Sequence, residues 1–275
     1  MANYTAADIK EIRELTGAGM LDVKKALDEA DGDREKAIEI IRVKGLKGIA
    51  KREGRTASEG LIAVDVRDNA EGGQTGTLVE LNSETDFVAK NDKFVALGDE
   101  AVAAAVESGA TEPAELADTP FGEALTTAGA TMGEKILVRR IGRVSGDVVT
   151  AYMHRTNKDL PPQVGVLVAT DKAGEEVAKD IAMHIAAYSP TYLSREDVPA
   201  DVVENERRIA EDTAKNEGKP EQALPKIVEG RLNGFFKENV LLEQGFAKDP
   251  KITIGKLLDG VNGHVTGFVR FRVGN

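Results

Sequence analysis

The sequence predicts an α+β fold. A three-helix domain comes first, followed by a duplicated core of two small antiparallel-sheet-plus-helix subdomains, the second carrying an inserted helical hairpin. Three observations carry the prediction. Apolar residues recur at helical spacing through about the first 45 residues, and the period changes to that of strands from residue 60. The order strand–strand–helix–strand then occurs twice, each copy ending in an arginine-rich strand, at 136–144 and 265–273. The expected divisions are a docking domain at 1–45, a basic linker at 46–58, a first core subdomain at 59–145 and a second at 146–275, with the hairpin at 190–236.

The first helix is signalled by Thr5, an N-cap with Asp8 three residues on, and by Ile9, Ile12 and Leu15 along one face. Gly17 and Gly19 stop it. Leu21 to Ala30 form the second helix, with Val23, Ala26, Leu27 and Ala30 as its apolar set; Asp31-Gly32-Asp33 turns the chain; and about Arg34 to Lys44 form the third. The glycine-punctuated basic stretch Lys44 to Arg55 reads as a solvated linker rather than a phosphate contact. Leu61 to Val66 and 77–82 then pair as a hairpin. A helix follows from Asp92 to Glu107, another from Phe121 to Gly133, and a strand from Ile136 to Val144. The second copy runs through strands at 148–153 and 163–170, a helix at 175–188 and a closing strand at 265–273. Between its helix and closing strand, helices from Pro199 to Glu217 and Pro225 to Phe236 flank the turn Gly218-Lys219-Pro220. This hairpin either projects as a coiled coil or lies on the sheet.

Composition excludes several functions. With no cysteine, the chain has no disulfide, thiol nucleophile or cysteine zinc site. A net charge of −11 opposes general nucleic-acid binding and is compatible with a protein partner. No apolar run is long enough to span a membrane, and the N-terminus lacks signal-peptide character, so a cytoplasmic location is expected. No Walker loop or nucleophile elbow occurs, and His154, His184 and His264 have no metal-ligand spacing. His184, on an apolar helical face, reads as a structural or interface histidine. No catalytic residue, cofactor or metal site is therefore expected.

One segment stands out, Asn82-Ser83-Glu84-Thr85-Asp86-Phe87-Val88-Ala89-Lys90-Asn91-Asp92, between a strand and a helix. A large apolar ring in such a connection either tucks into its own core or is presented to a partner. The second copy of the repeat makes the same passage through Asp171-Lys172-Ala173-Gly174, with nothing like Glu84 to Val88. The segment is thus not needed to close the subfold, which favours a partner-directed role.

Thr85-Asp86-Phe87-Val88-Ala89-Lys90-Asn91, following Leu78-Val79-Glu80-Leu81-Asn82, resembles the signature of the bacterial elongation factor Ts family. So do Thr16 to Leu27, with Val23 where many members have cysteine, and Ile181 to Ala186, Gly218 to Glu221 and Lys226 to Leu232. The first three helices resemble a ubiquitin-associated-type domain, with Gly17-Ala18-Gly19-Met20 as its inter-helix loop. The resemblance implies a guanine-nucleotide exchange factor that binds elongation factor Tu–GDP, dislodges Mg²⁺ and promotes GDP release without covalent chemistry of its own. Thr85, Asp86, Phe87 and Val88 are the expected contact and Mg²⁺-dislocating residues, and Gly17, Ala18, Gly19, Met20 and Lys24 the docking candidates. Deletion of 1–45 is expected mainly to weaken docking. Some members continue into a C-terminal helical module that this sequence, ending at Asn275, is expected to lack. The hairpin is a candidate for self-association. A docking adaptor that does not drive exchange is the alternative.

Overall fold

A computed structural model describes residues 3–274, leaving aside the side chains of residues 49 and 50. Helix α1 (Ala6–Thr16) opens on a capping box in which Asp8 N–H donates to Thr5 Oγ1 and Thr5 N–H to the Asp8 carboxylate. It ends at Gly17, whose φ of +77° is left-handed. Ile12, Val23, Ala26, Leu27, Ala37 and Ile41 form the core shared with α2 (Met20–Glu29) and α3 (Arg34–Arg52). Leu15 is exposed instead of sharing the buried face, and Thr16 takes that place, its hydroxyl donating to Ile12 O at 2.6 Å.

Helix α3 corrects the linker expectation, because the chain stays helical to Arg52. The glycines that suggested flexibility serve close packing. A Cβ at Gly45 would sit 1.9 Å from Ala130 O, so the backbone of α3 lies directly on helix α6 (Pro120–Met132). Arg52 is buried there and donates to Gly45 O and Gly129 O, both at 2.8 Å. Only the residues after Arg52 connect the helical domain to the first strand.

The core is a four-layer stack. Strands β1 (Glu59–Asp68), β2 (Gln74–Ser83) and β3 (Leu137–Gly146) form one antiparallel sheet in the order β1-β2-β3. Strands β4 (Val148–His154), β5 (Val164–Thr170) and β8 (Val265–Arg272) form the other, in the order β4-β5-β8. The repeat is visible in the amino-acid pattern, but how its copies meet is not. They meet face to face, through Ile62, Leu78, Val149, Leu167 and Ala169. Strand glycines make the approach close: a Cβ at Gly76 would stand 2.7 Å from Val149 Cγ1, and one at Gly165 2.6 Å from Ile62 Cγ2. The buried Glu80 carboxylate accepts from Arg140 Nε (2.6 Å), Asn82 Nδ2 (3.1 Å) and Gly274 N–H (3.0 Å), so it is paired and bonded across the junction.

Helix α5 (Asp92–Ser108) covers the outer face of the first sheet, with Phe94, Leu97, Ala101 and Ala105 inward. Helix α7 (Glu175–Tyr188) covers the second through Ile181, Ala182 and Ile185. Helices α8 (Ala200–Asn216) and α9 (Leu224–Asn239) form the hairpin. Their buried residues, among them Ala210, Val228, Leu232 and Phe236, make a cluster separate from the one under the sheet. The hairpin thus closes on itself, with a parallel bridge between Tyr192 and Val240 at its base. A small ribbon, β6 (Gly245–Phe246) with β7 (Asp249–Thr253), and the short helix α10 (Ile254–Asp259) add to the predicted elements. Such short pieces carry no measurable period.

Candidate functional site

Strand β2 does not pass directly into α5. A single helical turn, α4 (Asp86–Ala89), interrupts the connection. Thr85 caps it, its Oγ1 accepting from Val88 N–H at 3.4 Å. Val88 and Ala89 point into the core beside Leu81 and Phe94, which orients the turn. One residue earlier on the same turn, Phe87 faces the other way and is 73% exposed. Lys90 Nζ stands 4.4 Å from its ring centroid and 3.4 Å from Asp86 Oδ2, a cation–π contact and an ion pair on the rim of the turn.

The turn is held from outside its own segment. Glu84 N–H and Thr85 N–H both donate to Glu134 Oε2 at 3.0 Å, and the Thr85 hydroxyl donates to Glu134 Oε1. The exchange is reciprocal, since Lys135 N–H donates to Glu84 Oε1 at 2.7 Å. Arg55 Nη1 completes the setting of Glu84 at 3.2 Å. Neither Glu134 nor Lys135 stood out in the sequence. Fifty positions separate them from the loop they hold, and only the fold brings them together.

Phe87 lines a groove of about 660 Å³ together with Ile9, Gly17, Gly19, Met20 and Met132. The two stretches singled out in the sequence therefore share one surface. Met20 is 59% exposed and its neighbour Leu21 71%. Gly17 fits closely: a Cβ there would lie 3.2 Å from Met132 Cγ. The Lys93 ammonium donates to Leu15 O, tying α5 to the end of α1. The individual residues divide by orientation. Phe87, Gly19 and Met20 are presented to solvent, Asp86 and Thr85 are half-buried on the rim, and Val88 and Ala18 are buried beneath it. Lys24 lies on the exposed face of α2 and does not line the groove.

His184 is fully buried; its Nε2 lies 2.8 Å from Gln244 Oε1, and its Nδ1 accepts from Ala247 N–H at 3.2 Å. Burial holds its pKa below the ordinary value. Among the described residues, no group of three or more histidine, aspartate or glutamate side chains is placed to hold a metal, and no helix is long and apolar enough to cross a membrane.

Comparison with known proteins bears on the whole chain. The family model for elongation factor TS matches residues 84–275. Elongation factor Ts of Beutenbergia cavernae is 64% identical over 280 aligned residues, and that of Micrococcus luteus 64% over 283, each comparison covering 100% of both chains. The corresponding protein of Renibacterium salmoninarum is 60% identical, again over 100% of both chains. With a family match beginning at Glu84, in the very loop that presents Phe87, and full-length likeness at this level, the chain belongs to the elongation factor Ts family of translation elongation factors.

Proposed function

We propose that the protein is a guanine-nucleotide exchange factor for elongation factor Tu, and that the Phe87 turn and the groove beside it are the surface with which it acts. The observation that carries this reading is the exposure of Phe87 on a braced turn, next to exposed apolar residues of the helical domain. An unbraced apolar ring lowers its free energy by turning inward. A ring held outward is ready to enter a partner without first being rearranged. Thr85 and Val88 support the turn, Asp86 stands on its rim, and Phe87 presses between helices of the partner's GTPase domain. That pressure disturbs the partner's Mg²⁺ and phosphate loop, so the diphosphate loses charge compensation and GDP leaves. The protein needs no cofactor of its own for this.

The thermodynamics is reciprocal linkage: whatever factor binding takes from nucleotide affinity, nucleotide binding takes from factor affinity, so GTP can eject the factor. A 10⁴-fold effect requires about 5.5 kcal/mol of differential binding. Burial of one phenyl ring supplies about 1.5–3 kcal/mol. The remainder falls to the docking surfaces, of which Met20 and Leu21 are the exposed apolar part.

The test is release of fluorescent GDP from elongation factor Tu by stopped flow. Acceleration by substoichiometric protein is expected. Binding without acceleration would leave a docking adaptor and remove the exchange reading.

A further inference from the structure

From the contacts that hold the Phe87 turn, we infer that Glu134 is a positioning residue: its carboxylate fixes the start of α4 and so keeps the ring outward before any partner arrives. The inference rests on the exchange reading above.

A four-residue helix does not stand by itself, since nucleation orders several residues for one hydrogen bond. The residues that lead into it, Glu84 and the cap Thr85, must be held from outside. Here Glu84 N–H, Thr85 N–H and the Thr85 hydroxyl all donate to the two oxygens of Glu134. The same hydroxyl accepts from Val88 N–H, so Glu134 also sets the rotamer of the cap. Glu84 returns the contact by accepting from Lys135 N–H, with its own side chain only 16% exposed. Two chain segments thus exchange carboxylate for amide in both directions, which fixes spacing and rotation together.

On the far side of the turn the anchor is Val88, which is buried. Phe87 lies between a fixed start and a fixed successor, and its outward direction follows from both. Without Glu134 the amides of Glu84 and Thr85 and the Thr85 hydroxyl lose their acceptor, and the approach to the turn is held only through the Glu84 carboxylate and the Ser83 hydroxyl. The first residues of α4 can then unwind, and the ring is free to collapse onto the apolar residues of the groove, Ile9, Met20 and Met132. The second half of the core lacks this arrangement. There the connection is held by Asp171, which accepts from Gly174 N–H at 2.8 Å and His264 N–H at 3.0 Å, and residues 171–174 carry no apolar ring.

The experiment measures GDP release and affinity for nucleotide-free elongation factor Tu with the wild type, Glu134→Ala, Glu134→Gln, Phe87→Ala and the double variant Phe87→Ala/Glu134→Ala. Loss of charge-assisted hydrogen bonds predicts that Glu134→Ala slows release about 10- to 100-fold. Affinity is expected to fall less than about threefold: Glu134 lines the groove, but its carboxylate is taken up by Glu84 and Thr85, and the exposed Met20 and Leu21 are untouched. Amide exchange at Glu84 and Thr85 should accelerate, and the double variant should be no slower than Phe87→Ala alone. A wild-type rate in Glu134→Ala, equal losses of rate and affinity, or multiplying effects in the double variant would each overturn the inference. If Glu134→Ala does not fold, Glu134→Gln, which keeps the volume and one acceptor, is expected to slow release about 3- to 10-fold, and a wild-type rate there overturns it equally. The two levels separate cleanly. Failure of the wild type to accelerate release removes the exchange reading and this one with it. If the wild type accelerates, Phe87→Ala does not, and Glu134→Ala matches the wild type, only the positioning role falls.

Discussion

In the first half of the core, β3 places Arg143 opposite Thr77 of β2; in the second, β8 places Arg270 opposite Val166 of β5. Both pairs lie three residues before a register shift in the central strand, between Glu80 and Leu81 in one half and between Ala169 and Thr170 in the other. Both arginines also reach the end of the covering helix. Arg143 donates to Ala105 O and, at 2.8 Å, to Gly109 O, while Arg270 Nη2 donates to Ala186 O at 3.1 Å. The repeat therefore extends to the way each helix has its last carbonyls satisfied. After the register shift the halves part. Residues 84–91 lead to α5 with a helical turn inside them, whereas 171–174 lead directly to α7. Since the shorter route closes the same subfold, the longer one is not there to close it.

If that division is real, changes in the connection should affect exchange and spare the fold, and changes in the shared scaffold should do the reverse. The largest expected effect is that of Phe87→Ala. Removing a ring that becomes buried in the partner forfeits about 1.5–3 kcal/mol, or roughly 10- to 150-fold in GDP release. Melting temperature should stay within about 2 °C of the wild type, because an exposed side chain contributes little to the folded state. Equal losses of release rate and affinity would show that Phe87 binds without prising, and would break the assignment of the loop as a wedge.

The next effect lies in the scaffold. Arg143→Met and Arg270→Met each remove a guanidinium from helix-terminal carbonyls, for an expected loss of about 1–3 kcal/mol in urea unfolding. Arg143 should cost more: it also bonds Thr77 Oγ1 at 3.2 Å, whereas burial, and after it the charges of Arg272 and Arg140, lower the pKa of Arg270. Exchange per folded molecule should be unchanged in both variants. A folded Arg270→Met that loses exchange would show that the second half takes a direct part in the reaction, and the division between scaffold and loop would have to be redrawn. The docking domain is better probed by Met20→Ala than by truncation at residue 45. Helix α3 continues to Arg52 and packs on α6, so a cut at 45 would strip a face of the core as well as the docking surface.

The helices, the strands and the duplication were legible because each rests on a period that the sequence displays over ten or so residues. The Phe87 segment was legible by contrast, because the second copy makes the same strand-to-helix passage without it. What was not legible depends on distance along the chain. Glu134 reaches back fifty positions to Glu84 and Thr85, and no local pattern announces that reach. The extension of α3 was hidden because Gly45 and Gly48 read as flexibility when the partner helix is out of view. Glycine in a helix costs about 1 kcal/mol relative to alanine. Against that stands a backbone-to-backbone contact at Ala130 that no larger residue permits. The inward orientation of Val88 and Ala18, within motifs otherwise turned outward, likewise follows from packing that a linear motif does not encode.

The smallest effect separates the halves by acid sensitivity. Counted from the helix start, the place of His184 in α7 corresponds to Ala101 in α5, which cannot titrate. Ala247 N–H donates to His184 Nδ1, and Gln244 Nε2 donates to Glu238 O at 2.7 Å, leaving Gln244 Oε1 to accept from His184 Nε2–H. The ring is thus neutral, and a second ring proton would meet an amide hydrogen. Asp180 and Lys248, on the same groove, pair with each other at 2.7 Å and leave no free carboxylate there to stabilise an imidazolium. The folded pKa lies below the ordinary 6.5. As pH falls through that value the unfolded chain takes up the proton first, so stability is full above about 6.5 and is lost progressively below it, until the folded group itself titrates. Melting temperature should decline by roughly a few degrees between pH 7.5 and 5.5 in the wild type, and by less in His184→Gln. An identical slope in the two proteins would place the acid-sensitive group elsewhere and leave the buried histidine as packing alone.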